Sequence, residues 1–363
     1  MPLVSHIELP TFERLRREGH EVLFPLRASE QNIRELHIGL LNMMPDAALQ
    51  ATERQFLRLI GACNRIAQFH VHPFSVPGIV REGEARDYVE AYYRSFDELA
   101  EEGLDALIIT GANVANPALD QESFWEPLID VVEWAEDNVT SVLCSCLATH
   151  ALLKHFHGIE RQPLPEKRWG VYSHRLSAPT HPLLREVNTR FDAPHSRYND
   201  ITRRQLEAEG LVVLAESAEG GVHMAASPDQ FRVIYFQGHP EYDATSLLKE
   251  YKREVRRYAA GELNEPPPLP EHYFSDEAAV LAARMVDAAD SVAFDHLEKQ
   301  VEALLDNTWG DTARAIVNNW LGLVYQFTHL DRKQQFMPGV DPEDPLGIGA
   351  NGKETQASTK EER

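Results

Sequence analysis

Basic residues are scarce in this chain of 363 residues: 35 Lys and Arg stand against 57 Asp and Glu, a formal charge of −22. A nucleic-acid backbone needs a basic face, so nucleic acid is excluded as the main partner, and an anionic membrane surface with it. Long apolar runs are missing too, and none approaches the roughly 18 residues that span a bilayer. The opening residues, MPLVSHIELPTFERLRREG, lack the basic start and apolar core of a secretion signal. Cysteine is rare, three in all, and two of these lie one residue apart, which makes no disulfide framework. These absences point to a cytosolic protein. Neither a Gly-rich dinucleotide fingerprint nor a phosphate-binding P-loop occurs.

What is present is globular. Apolar residues make up 43% and charged residues 25% of the chain, both ordinary values, so global disorder is excluded. From His37 to about Gly261, short apolar runs alternate with helical patterns. The runs are 37–44, 67–75, 106–111 and 141–145. The segment 86–103 places Val89, Tyr92, Tyr93, Phe96 and Leu99 at helical spacing, which predicts one helix. This alternation predicts an α/β fold, a mostly parallel sheet flanked by helices. Three closely spaced runs, 211–217, 221–227 and 231–238, add an antiparallel portion. We expect an N-terminal arm over 1–35, a catalytic α/β domain over 36–262, and a helical extension over 263–332. A disordered tail is expected over 333–363. The Pro-rich NEPPPLPEHYF would carry the chain across the surface, and the apolar NNWLGLVYQF would pack on the main body or on a second subunit.

The chemistry concentrates at SVLCSCLATHALLKHFHG (141–158). Its first half reads as a buried strand and its second as a helix, with the switch at Ser145–Cys146. A nucleophile on such a turn projects above the sheet edge, and Cys144 and Ala148 are the small flanks it needs. The helix N-terminus favours a thiolate on Cys146, and the Leu147 N–H would face an oxyanion forming beside it. The plain alternative is a buried structural thiol, the reading we take for Cys144. A Cys-x-Cys metal site lacks its second cysteine pair.

A thiol nucleophile needs a base and a group that orients the base. The run FRVIYFQGHPEYD delivers His239 and Glu241 at the end of an apolar strand, where α/β sheets bind ligands. Pro240 favours an extended link between them. The glycine turn ITGANVANP (109–117) also follows a strand. Its N–H groups at Ala112 and Asn113 would complete an oxyanion hole with Leu147. His70 and His72 alternate along a strand and could bind metal, but the plain strand reading is preferred and no metal site is expected.

Several segments together resemble the homoserine O-succinyltransferase family: RASEQNIRELHIGLLNMMP, the ITGANVA turn, CLATHALLKHFHGI, PEKRWGVYSH, APHSRY, GHPEYD and NWLGLVYQ, from about Arg27 to Asp331. The resemblance implies a fold like the class I glutamine amidotransferases. It implies acyl transfer from an acyl-coenzyme A to the hydroxyl of L-homoserine by a homodimer that holds no bound cofactor. Cys146 matches the family's thioester nucleophile, His239 its base and Glu241 the base's partner. Lys167 and Ser196 match substrate-binding positions. Arg253 matches the arginine that holds the homoserine carboxylate, as a guanidinium can bidentately. The chain departs from the family pattern at Leu147, usually Trp, and at His150, usually Gln. The turn reads GANVA where succinyl-specific members read GAPLG and acetyl-specific ones GAPVE. Ala115, small and neutral at the deciding position, favours succinyl-coenzyme A as co-substrate. An acetyl donor, a glutamine-hydrolysing activity and a non-catalytic sensor are the rival readings.

Overall fold

The computed structural model describes residues 3–63, 67–289 and 292–349. Its parallel strands come from the apolar runs: β1 (Glu35–Leu41), β2 (Gln68–Phe74), β3 (Ala106–Ile109) and β4 (Ser141–Ser145). The others are β5 (Gln162–Leu176), β6 (Arg190–Asp200), β7 (Val212–Ser217), β8 (Gly221–Ala226) and β9 (Val233–Phe236). They form one sheet in the order β2-β1-β3-β4-β9-β8-β7-β5-β6. β9 joins two regimes, being parallel to β4 and antiparallel to β8. The α/β fold is the expected one, with a larger antiparallel half, because β5 and β6 were not read as strands.

Helices α1 (Pro10–Arg17) and α2 (Pro25–Ser29) belong to the arm. Then follow α3 (Leu49–Gly61), α4 (Gly83–Tyr92), α5 (Phe96–Glu102), α6 (Trp125–Asn138), α7 (Leu147–His157) and α8 (Arg203–Ala208). The series ends with α9 (Ser246–Ala259), α10 (Asp276–Asp287), α11 (Val292–Glu302) and α12 (Gly310–Phe327). Alternate strand residues feed two cores. Ile38 and Leu40 pack with Phe56 of α3 and Trp320 of α12, and Leu41 and Ile109 pack with Leu128 of α6 and Leu152 of α7.

The single helix expected over 86–103 is two helices. Val89, Tyr92 and Tyr93 pack in the first core, whereas Phe96 and Leu99 pack in the second. The chain crosses the sheet edge between them. Arg94 is extended there, its N–H bonding the Pro73 carbonyl at 3.1 Å, and the Ser95 hydroxyl caps α5 by accepting from the Glu98 N–H. Helical spacing persists through the break because both cores want apolar residues at similar intervals.

α12 packs back on its own sheet, where the indole of the fully buried Trp320 donates to Ser141 Oγ at 2.8 Å. The Pro-rich connector docks on β5, with Glu271 exchanging backbone bonds with Trp169 and Val171 at 2.8 Å each. Gly170 permits this approach, since a side chain there would run into the Glu271 carbonyl. Past Lys333 the chain still packs: Gln335 donates to the carbonyls of Glu136 and Val139 at 2.7 Å each. Residues 350–363 of the expected tail lie outside the described residues. No helix among the described residues is long and apolar enough to cross a membrane.

Candidate active site

β4 ends at Ser145 and α7 begins at Leu147, so the chain must turn at a single residue. Cys146 does this with φ 55° and ψ −115°, a conformation that side-chain-bearing residues adopt only under strain. The neighbouring strand holds the turn. The Cys146 N–H donates to the Phe236 carbonyl of β9 at 2.8 Å, and Thr149 Oγ1 donates to the same carbonyl at 2.8 Å. Thr149 drew no attention in the sequence, yet it fastens the first turn of α7. Two residues upstream, Cys144 is fully buried and its thiol is pushed up to about 12 by that burial, as suits a structural thiol. Gly111 lies against Cys146: a methyl there would stand 3.4 Å from its Cβ and 3.8 Å from its Sγ.

β9 delivers His239. The His239 N–H bonds the Pro194 carbonyl of β6 at 2.9 Å, which fixes the segment past the strand end. His239 Nδ1 donates to Glu241 Oε1 at 2.8 Å, so Nε2 is left for Cys146, with which the ring also bonds. Burial alone would lower the His239 pKa. The negative charge of the Cys146 sulfur and the Glu241 carboxylate outweigh it and hold the value well above the ordinary 6.5. The Tyr242 ring stacks on the imidazole at 4.1 Å between centroids. Gly238 is sterically required, because a Cβ there would lie 2.6 Å from His223 Nδ1.

The antiparallel half supplies the facing wall. Lys167 on β5 and Ser196 on β6 both donate to Glu250 Oε2 of α9, at 3.0 and 2.6 Å, and the Tyr242 hydroxyl donates to Glu250 Oε1 at 2.8 Å. Burial would raise the Glu250 pKa, but the Lys167 ammonium and these hydroxyls outweigh it, so the carboxyl stays ionised below its ordinary 4.5. Sequence reasoning missed Glu250, and the only signal for it was an acidic residue on a basic helix. Arg253 lines the same cleft with its side chain 62% exposed and pairs with Glu254 at 3.0 Å.

The cleft holds about 380 Å³. Ala112, Asn113 and Leu147 line it, and the N–H of Leu147, first in α7, has no carbonyl one turn back to bond. Ala115 lies at the end of that turn, exposed, its N–H turned away to Glu122 Oε1 at 2.7 Å. His150 lines the cleft floor and bonds Gln237 Oε1 at 3.0 Å, and burial lowers its pKa to about 4. The structure thus gathers Cys146, His239, Lys167, Ser196 and Arg253 at one cleft, with Glu241 behind the His239 ring, whereas Ala115 does not line it. Two groups with metal-ligating atoms within 4.8 Å of one another, His174–His195–His223 and Glu35–His37–His70, do not line it.

Among solved structures the chain is similar to a glutamine amidotransferase from Thermotoga maritima, at 12% identity over 80% of this chain and 99% of that one, with a TM-score of 0.39. A glutamine amidotransferase from Methylobacillus flagellatus gives 15%, 80%, 95% and 0.40 in the same order. The sequence comparisons are far closer. The homoserine O-succinyltransferase of Methylobacter tundripaludum is 58% identical over 96% of this chain and 100% of its own. That of Methylococcus capsulatus is 58% identical at the same coverages. The model of the homoserine O-succinyltransferase family matches residues 2–330. The chain belongs to the homoserine O-succinyltransferase family.

Proposed function

We propose that the chain transfers succinyl from succinyl-coenzyme A to the hydroxyl of L-homoserine through a thioester on Cys146. The acyltransferase class and the homoserine O-succinyl activity come with the family. The route is our reading, and the observation that carries it is the strained elbow placing Cys146 against His239, with Glu241 behind the ring. The Cys146 sulfur adds to the succinyl carbonyl. His239 Nε2 takes the Cys146 thiol proton as the sulfur adds, and the N–H groups of Leu147, Ala112 and Asn113 hold the oxyanion. When the carbonyl re-forms, coenzyme A leaves as the thiol with that proton returned from His239. In the second half His239 takes the homoserine hydroxyl proton as that oxygen attacks the thioester, and the sulfur is released.

Lys167 and Ser196 line the homoserine end with Glu250 between them, and Arg253 meets the α-carboxylate. No cofactor takes part, and succinyl-coenzyme A is a co-substrate. Its phosphates would meet the cation-lined face of α9, where Lys249, Lys252, Arg256 and Arg257 continue the row begun by Arg253 in the cleft. Ala115 leaves the end of the glycine turn small and uncharged, which suits a succinyl carboxylate. The setting we assign is the cytosol, and the assembly a homodimer, whose interface must lie elsewhere than the apolar face of α12, already spent on the chain's own sheet.

Intact-protein mass spectrometry after mixing with succinyl-coenzyme A, without homoserine, tests the route. The expected result is one succinyl adduct that is absent from Cys146→Ala. No adduct, or one that persists in Cys146→Ala, overturns the thioester.

A further inference from the structure

At the amino ends of β1 and β2, opposite the cleft, the arm lays His6 beside His72, His37 and His70. Ring nitrogens and two oxygens form a chain of four gaps. His6 Nδ1 faces the Val4 carbonyl at 3.1 Å, and His6 Nε2 faces His72 Nδ1 at 3.3 Å. His72 Nε2 faces His37 Nδ1 at 2.9 Å, and His37 Nε2 faces Glu35 Oε2 at 3.4 Å. Both ends of this chain are acceptors, a carbonyl and a carboxylate, so four gaps need four protons. Three neutral imidazoles carry one proton each. Oriented from Val4, the three protons fill the first three gaps and leave the bare lone pair of His37 Nε2 facing the Glu35 carboxylate. One positive charge is missing at that point.

His70 marks the same spot. His70 is buried, and its Nε2 has no hydrogen-bond partner among the described residues while lying 3.9 Å from Glu35 Oε1. A fourth proton would serve His37 alone, whereas the ligand atoms of Glu35, His37 and His70 lie within 4.8 Å of one another, so one ion can bond both imidazole lone pairs and the carboxylate at once.

We propose that Glu35, His37 and His70 bind one divalent transition-metal ion of the zinc class. The donor set, two imidazoles and one carboxylate, is one that Zn²⁺ takes with a water in the remaining position. With the metal on His37 Nε2, His37 Nδ1 keeps its proton and donates to His72, as the second nitrogen of a ligating histidine usually does. His72 then donates to His6, and His6 to the Val4 carbonyl, so every gap is filled. The ion would tie β1 to β2 and, through the hydrogen bonds of His72 and His6, fix the arm beside them, far from the thiol. The fully buried group behaves differently. There Arg197 donates to His195 Nδ1, His195 Nε2 donates to His174 Nε2 at 3.0 Å, and His174 Nδ1 donates to the Tyr172 carbonyl at 2.7 Å. That chain of bonds is closed, and the unpartnered atom beside it, the buried His223 Nδ1, stands in a group of three histidines without a carboxylate.

The test uses the full-length protein, stripped with chelator and titrated with Zn²⁺ by calorimetry and with Co²⁺ by visible absorption. One equivalent is expected, with cobalt bands free of thiolate charge transfer and a Zn²⁺-dependent rise in melting temperature. Glu35→Gln and His70→Gln should each weaken binding at least about tenfold, and Cys146→Ala should leave it unchanged. Glu35 is exposed, so its variant carries the test even if His70→Gln fails to fold. Absence of saturable binding overturns the proposal. So does binding that survives Glu35→Gln, that vanishes with Cys146→Ala, or that is lost in His223→Gln instead.

Discussion

Cys146 and His239 leave the carboxyl ends of β4 and β9, strands paired in parallel and covered on both faces. Lys167 and Ser196 stand on β5 and β6, a long antiparallel pair at the far edge, and are linked to the first two through Glu250 of α9 and Tyr242. The parallel half holds a strained residue in place by hydrogen bonds to the neighbouring strand. The antiparallel half carries polar side chains into a shared carboxylate, an arrangement suited to grading a substrate's charge and shape. On the proposed route one fold separates bond making from recognition, and the two should fail differently when altered.

The largest failure belongs to the parallel half. Cys146→Ala should reduce turnover by on the order of 10⁴ or more in a homoserine-dependent coenzyme A release assay. Measurable turnover near the wild-type rate would break the division at once. His239→Asn should follow closely, and Glu241→Gln should cost about 10²–10⁴ in kcat with the KM for homoserine nearly unchanged.

Across the cleft, Glu250→Gln should act as a positioning change. It removes the charge and one of the two acceptor oxygens that hold Lys167, Ser196 and Tyr242, so the KM for homoserine should rise by about tenfold or more while thioester formation persists. Loss of the succinyl adduct in this variant would show that the antiparallel half enters the first chemical step. Gly238→Ala probes the seam between the halves. Its methyl would press on His223 Nδ1 and on His195 at 2.6 and 2.8 Å, and urea unfolding should show about 1–3 kcal/mol of lost stability.

The smallest effect is one of pH. Glu250 has a folded pKa below its ordinary 4.5, so the unfolded chain binds its proton first as pH falls. The stabilisation is present above that ordinary value and is lost as pH drops through the folded one. Wild type should therefore lose stability below pH 4.5 more steeply than Glu250→Gln, and identical acid profiles would remove Glu250 from the account.

Legibility in the sequence followed the same line. The strands of the parallel half are short apolar runs between helical patterns, and the read limits of 141–145 coincide with β4. The elbow was legible because a strand-to-helix switch around Cys146, with small flanks, leaves few other conformations. β5 and β6 were not legible, because PLPEKR and APHSRYND mix prolines and charges. Those residues extend only because each pairs with the other strand, as Trp169 does with Ser196. Their motifs entered through family likeness and not through periodicity. The break between α4 and α5 was hidden for a related reason: spacing records that a residue is buried, not which of two cores buries it.

The order of the residues determined by itself the α/β class, the turn at Cys146, and His239 with its carboxylate partner two residues on. These are local properties, carried by hydrophobic spacing and by neighbours along the chain. Only the tertiary structure decided that Glu250 gathers Lys167, Ser196 and Tyr242, that Thr149 and Phe236 pin the elbow, and that His6 of the arm joins three histidines of the sheet. Those contacts link residues far apart in the chain, and their energies depend on distance and burial, which no run of neighbouring residues encodes.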